Sequence, residues 1–197
     1  MEQKPIDNTD LEDHLRTVAA DGMDVFVLND GHIRGAAVNG TRLVNEMRRN
    51  HSLGILETLI LGHAYIGALL MTSHMKGRDR LSVSLSCDGP VGGISVESNV
   101  LGEVRGYLQN AHIQLTTPPT SFDTAPYIGT GILTVTRFPE GARRPFSGSI
   151  EFVGGDFATN LARYYVTSEQ TPSAFSLSVQ FDERGLVVGA GGLMLQA

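Results

Sequence analysis

At 197 residues and 41% hydrophobic composition, the chain is long enough to bury one well-cored domain and lies far from a disordered composition. Fifteen basic residues stand against 21 acidic ones, a net charge of −6, and the doublets Arg48-Arg49 and Arg143-Arg144 are too isolated to track phosphates, so no nucleic acid is expected as a partner. The single cysteine, Cys87, excludes an intramolecular disulfide and any multi-cysteine metal site built from these residues.

Residues 1–24 read as a polar, frayed N-terminal segment with at most a short helix around Asp10 to Ala20, and residues 25–197 as one folded domain. The first residues are acidic and lack an apolar core of the kind a secretory signal carries, so with one thiol a cytoplasmic setting is expected. Val25 to Leu28 and Ile33 to Val38 flank Asn29-Asp30-Gly31, whose tolerance of positive φ predicts a hairpin. Thr41 to Asn50 is a short helix with Leu43, Val44 and Met47 on one face.

Leu53 to Met75 is the longest apolar run, with Ser52 as the expected N-cap and Lys76-Gly77 as its stop. Its length suits a membrane span, but Glu57, His63 and His74 and the lack of flanking basic loops favour a long helix buried in a core, with no membrane partner. The four-residue spacing of Gly54, Thr58 and Gly62, and of Ala64 and Ala68, predicts close approach of another backbone.

The remainder is mostly sheet. Leu81 to Cys87, Phe146 to Phe152 and Phe175 to Phe181 alternate apolar and polar residues, the pattern of antiparallel strands with one packed and one polar face. Cys87 shares its face with Leu81, Val83 and Leu85 and reads as a small buried hydrophobe. Asp88-Gly89-Pro90 is a turn opening two further strands in the stretch Asp88 to Leu108. Glu103 and Arg105, on one face of the second, read as an exposed ion pair. Ile128 to Phe138 is another strand, turned by Pro139-Glu140-Gly141, and Pro118 to Ser121 is a loop. One more helix follows Asp156 as N-cap, with Ala158, Leu161, Ala162 and Tyr165 at helical spacing, before a closing strand from Leu186 to Gln196. Strands and helices without regular βαβ alternation make an α+β fold: antiparallel sheets packed with a long central helix and one or two shorter helices.

Local catalytic signatures are missing from the sequence. Lys4 and Lys76 are followed by Pro5 and Gly77, so there is no P-loop; Gly129-Thr130-Gly131 and Gly189 to Gly192 lack the third glycine of a dinucleotide fingerprint. The histidines show no HExxH or HxxxH pairing, and no G-x-S-x-G elbow occurs. No catalytic residue, metal ligand or cofactor is therefore assigned.

Taken in order, several stretches resemble the 33 kDa heat-shock chaperonin family, the redox-regulated bacterial holdases. They are Ile33-Arg34-Gly35, the long helix ending Lys76-Gly77, Cys87-Asp88-Gly89-Pro90, Val104-Arg105-Gly106, Gly129 to Thr136, Gly155-Asp156, Ser168-Glu169-Gln170-x-Pro172, and Ala190 to Gln196. They cover roughly residues 25–196. The resemblance implies a chaperone of the heat-shock and stress response that binds unfolded polypeptides without ATP. It also implies a homodimer, and a C-terminal module in which C-x-C and C-x-x-C pairs bind zinc or form disulfides. None of those cysteines is present here, so the chain is expected to be the substrate-binding domain alone, with zinc only in the module beyond it. Without its cover, such a domain should bind clients constitutively or hide its surface by dimerising. The candidate client surface is the apolar face around Ile94, Val96, Val104, Tyr107 and Leu108, with Phe175, Leu177 and Val179. Two other readings compete: an enzyme whose site is assembled from dispersed residues, which a deep polar pocket at His63 or Glu57 would support, and a purely structural dimerisation domain.

Overall fold

The computed structural model describes residues 9–115, 117, 119 and 121–197. Of the loop expected at Pro118 to Ser121, Pro118 and Thr120 lie outside the described residues.

The described residues begin with α1 (Thr9–Thr17), then form β1 (Gly22–Leu28) and β2 (Ile33–Asn39) around a single 3₁₀ turn, Asn29–Gly31. Asn29, Asp30 and Gly31 all take positive φ in that turn, the backbone demand that its residue types anticipate. Next come α2 (Thr41–His51) and α3 (Ile55–Thr72), then β3 (Arg80–Cys87), β4 (Gly93–Asn99) and β5 (Val104–Leu108). A one-turn helix α4 (Ala125–Ile128) precedes β6 (Gly131–Phe138) and β7 (Phe146–Phe152); α5 (Phe157–Ser168), β8 (Ser173–Phe181) and β9 (Val187–Gln196) complete the chain.

Every strand pairing is antiparallel, in two sheets. One has four strands in the order β1-β2-β9-β8, the other five in the order β5-β4-β3-β6-β7. Helix α3 packs against strands of both sheets, so the fold is a sheet, a helical layer and a second sheet, with α2 and α5 beside α3. That position explains its composition. A helix with sheets on both sides needs an apolar surface all round, and α3 has a mean hydropathy of 1.5 with 89% of its residues buried. It is long and apolar enough to cross a bilayer, yet it forms the centre of the core, as the sequence suggested. The α+β architecture with a long central helix is the one expected.

Several boundaries differ from expectation. Within the N-terminal segment, helix α1 is docked rather than frayed: Leu11 and Leu15 are buried, and the His14 ring lies 2.8 Å from the Val187 carbonyl. Ser52 is not the N-cap of α3. It closes α2 in a left-handed conformation (φ 53°), its N–H bonding the carbonyls of Arg48 and Arg49, and Gly54 occupies the N-cap position of α3. The strand expected from Ile128 starts instead at Gly131, because Ile128 ends α4 and Gly129 turns the chain at φ 73°.

The small residues of α3 receive side chains, where another backbone was expected. A Cβ on Gly62 would press on Val179 and Val44, and one on Gly67 on Leu161 and Phe157. Glu57, buried in the same helix, is satisfied locally: its Oε1 accepts the Ile113 N–H at 2.8 Å. Asp156 caps α5 as predicted, accepting the Thr159 N–H at 2.7 Å.

Candidate functional site

The two sheets each bury one face on the helical layer and turn the other outward, and the two outward faces differ in chemistry. On the five-stranded sheet the outward rows are hydroxyls: Thr134 bonds Ser149 at 2.8 Å and Thr136 bonds Ser147 at 2.9 Å across the β6–β7 pair. Arg105 donates from Nε to Glu97 Oε2 at 2.8 Å across the β4–β5 pair. The ion pair is therefore cross-strand; Glu103, the partner read from the sequence, instead accepts from Asn99 Nδ2. Such a face is stable in water, and its exposed apolar groups, Tyr107 and Ile132, stand singly among polar residues.

The four-stranded sheet turns a different face outward. Strand pairing places Phe26 opposite Gly35 and Leu28 opposite Ile33, then Gly35 opposite Leu195 and Ala37 opposite Leu193. Because facing residues in an antiparallel pair share a side, Phe26, Leu28, Ile33, Ala37, Leu193 and Leu195 form one patch. The helices α2, α3 and α5 all pack on the opposite side, where Ala36 and Met194 are fully buried. Leu28 is 47% exposed and Leu193 37%, while Phe26, Ile33 and Leu195 are half-buried. An exposed apolar patch is a candidate contact surface for other apolar groups.

The residues singled out in the sequence do not form this surface. Ile94, Val96, Val104 and Leu108 are buried, on the side of β4 and β5 that meets α3. As apolar members of alternating strands, they turn to the core, and in this chain they are closed to a partner. Tyr107 is 58% exposed but stands opposite Ser95 on the hydroxyl-rich face. Phe175 and Leu177 are half-buried and Val179 is buried on the inner side of the four-stranded sheet, Phe175 with its ring 5.5 Å from that of Tyr165. The outward patch was missed because β2 and β9 alternate imperfectly: glycines at 35 and 191 stand on the outer face, where polar residues would normally distinguish it.

A dispersed catalytic site at His63 or Glu57 would need a deep polar pocket at those residues. A cleft of about 920 Å³ lies between α2 and the β4–β5 pair and is lined by Glu46, Tyr65, Glu97, Arg105 and Tyr107 among others. Neither Glu57 nor His63 reaches it. Tyr65 spends its hydroxyl on the Gly106 carbonyl at 3.1 Å, and burial pushes its pKa up to about 12. The Asp88 motif is likewise committed to structure. Asp88 accepts the Thr130 N–H at 2.6 Å and the Thr130 hydroxyl at 2.9 Å, and these bonds hold its carboxyl below the ordinary value. Gly89 sits so close to the backbone of Tyr127 and Ile128 that a Cβ would clash.

The residues present do not fit a thiolate-bound zinc. Cys87 is the chain's one cysteine, and burial pushes its thiol pKa up, away from the thiolate a metal needs. Among the described residues no three of His, Cys, Asp and Glu are placed to hold an ion.

Comparison with known proteins agrees with the fold. The profile of the Hsp33 protein family matches residues 21–197. A 33 kDa chaperonin of Desulforamulus reducens is 44% identical over 171 residues, which is 86% of this chain and 58% of that protein. The 33 kDa chaperonin of Aquifex aeolicus is 34% identical over 193 residues, 95% of this chain and 58% of its own length. The crystal structure of the 33 kDa chaperonin (heat shock protein 33 homolog) of Thermotoga maritima aligns with a TM-score of 0.81 at 35% identity, covering 88% of this chain and 60% of that one. The chain thus spans less than two thirds of the length of these relatives. With its fold, its ordered motifs and these identities in agreement, the chain belongs to the Hsp33 family.

Proposed function

We propose that this chain is the client-binding domain of an ATP-independent holdase, taking unfolded polypeptides on the outward face of the four-stranded sheet. The observation that carries the reading is the contrast between the two outward faces: hydroxyls on one, and Phe26, Leu28, Ile33, Leu193 and Leu195 on the other. An unfolded client exposes apolar side chains, and covering two apolar surfaces with each other removes both from water at about 25 cal/mol per Å². No nucleotide is needed for such binding. The relatives' name, 33 kDa chaperonin, supports the same role.

Regulation, on this reading, is a matter of cover. Whatever lies over the patch, a further module or a second copy of the chain in a homodimer, competes with clients for it. Cys87 does not supply a redox switch by itself. The setting is cytoplasmic and reducing, with neither membrane nor nucleic acid as partner.

The test is light scattering from a thermally denatured client under reducing conditions without nucleotide. The purified chain is expected to suppress aggregation near stoichiometric ratios and to bind a hydrophobic dye. A monomer that does neither contradicts the proposal, and a stable dimer without client protection favours a structural role.

A further inference from the structure

The same sheet ends in a strand edge that differs from the other three. Strand β1 pairs with β2 along its whole length, Gly22 opposite Asn39 through Leu28 opposite Ile33, and among the described residues with nothing on its other side. In an antiparallel strand, alternate residues direct N–H and C=O away from the neighbour. Among the described residues, no backbone or side-chain group bonds to those outward groups of Gly22–Leu28. Both flanks of the strand are apolar. Val25 (54% exposed) and Val27 (60%) project on the helix side beyond the reach of the core, and Phe26 and Leu28 on the outer side.

Natural sheets protect their edges with charge, proline, bulges or covering groups. The three other edges here carry such devices. On β5 the Gly106 carbonyl accepts from Tyr65, and on β7 the Glu151 carbonyl accepts from Arg163 Nη1 at 3.2 Å. Strand β8 meets a bulge at Val188 of β9, which lies between the Gln180–Gly189 and Phe181–Val187 pairs, and shows Ser176, Ser178 and Gln180 outward. Strand β1 has no bulge, proline or lysine, and its one charge is Asp24.

We infer that β1 is a strand-addition site, at which an extended segment of non-native polypeptide joins the four-stranded sheet as a fifth strand beside Gly22–Leu28. An unsatisfied row of peptide groups selects an extended backbone, because only another backbone presents donors and acceptors at the matching repeat. Recognition of main chain is indifferent to sequence, and the apolar flanks favour segments with apolar residues on alternate positions. The inference rests on the holdase reading and adds a mode of capture to it: the outward patch takes side chains, and β1 takes backbone.

The experiment compares two labelled peptides on the intact chain, one of alternating valine and threonine and the same peptide with every second amide N-methylated. N-methylation keeps the side chains but removes one edge's donors. Strand addition requires the methylated peptide to bind about tenfold or more weakly by fluorescence anisotropy, and only the parent peptide to slow hydrogen exchange at residues 22–28. Equal binding of both peptides, or no binding of either by a chain that does suppress client aggregation, overturns strand addition and leaves the holdase reading intact. Protection of 22–28 that rises with protein concentration alone also overturns it, since a second copy would then occupy the edge. A chain that suppresses no aggregation removes the reading and the inference together.

Discussion

Phe26 lies across the β1–β2 pair on Gly35, so close that a Cβ at position 35 would overlap its ring. The glycine makes room for the aromatic, and the aromatic supplies the cover that a strand glycine lacks. Gly35→Ala is therefore expected to push the ring out of its rotamer and to lower stability by about 0.5–1.5 kcal/mol. Gly35→Ala with Phe26→Leu should recover most of that loss, and urea unfolding of the single and double variants measures the coupling.

Arg137 of β6 is tied to Glu169 at the C-terminal end of α5. Arg137 Nη2 is 3.2 Å from Glu169 Oε1, and the Tyr164 hydroxyl donates to the same oxygen at 2.8 Å. The ion pair is largely shielded, with side chains 30% and 26% exposed, and Arg137 Nε is buried without a partner. Glu169→Gln keeps the shape but leaves the guanidinium poorly compensated. A loss of about 1.5–3 kcal/mol in denaturant unfolding is expected, and Arg137→Met in the same background should restore part of it.

Two histidines give the fold a pH dependence of definite sign. Burial lowers the pKa of His63, opposed by Asp156; burial, with the guanidinium groups of Arg34 and Arg137, lowers that of His74. Below the ordinary value of 6.5 the unfolded chain takes up protons that the native histidines refuse. Their contribution is complete at neutral pH, declines as pH falls through that value and levels off below the folded ones. Tm should fall between about pH 7 and 5, and His63→Gln should flatten the profile. An unchanged slope in that variant would assign the effect elsewhere.

The fold was largely legible because its strands alternate and its central helix is apolar on every side, a pattern that only a doubly covered helix needs. Boundaries were less so. Ser52 is a good N-cap type by composition, but the tight α2–α3 connection needs a left-handed residue there, a demand set by the neighbouring helices. The surface was hardest to read. Alternation shows that Ile94 and Val104 share a side, but which side is covered depends on where α3 lies, and that follows from topology. The candidate patch instead draws its residues from β1, β2 and β9, separated by most of the chain, and no local window joins Phe26 to Leu195.

The central claim is that the outward face of the four-stranded sheet holds clients, and the direct measurement is aggregation suppression by Leu28→Ser/Leu193→Ser beside Ile132→Ser, a matched change on the hydroxyl-rich face. All three positions are exposed, so stability should move by less than about 0.5 kcal/mol per site. The double variant is expected to need roughly tenfold more protein for half-protection of a denatured client, given the apolar burial lost, while Ile132→Ser behaves as the parent. Full protection by the folded double variant would contradict the account.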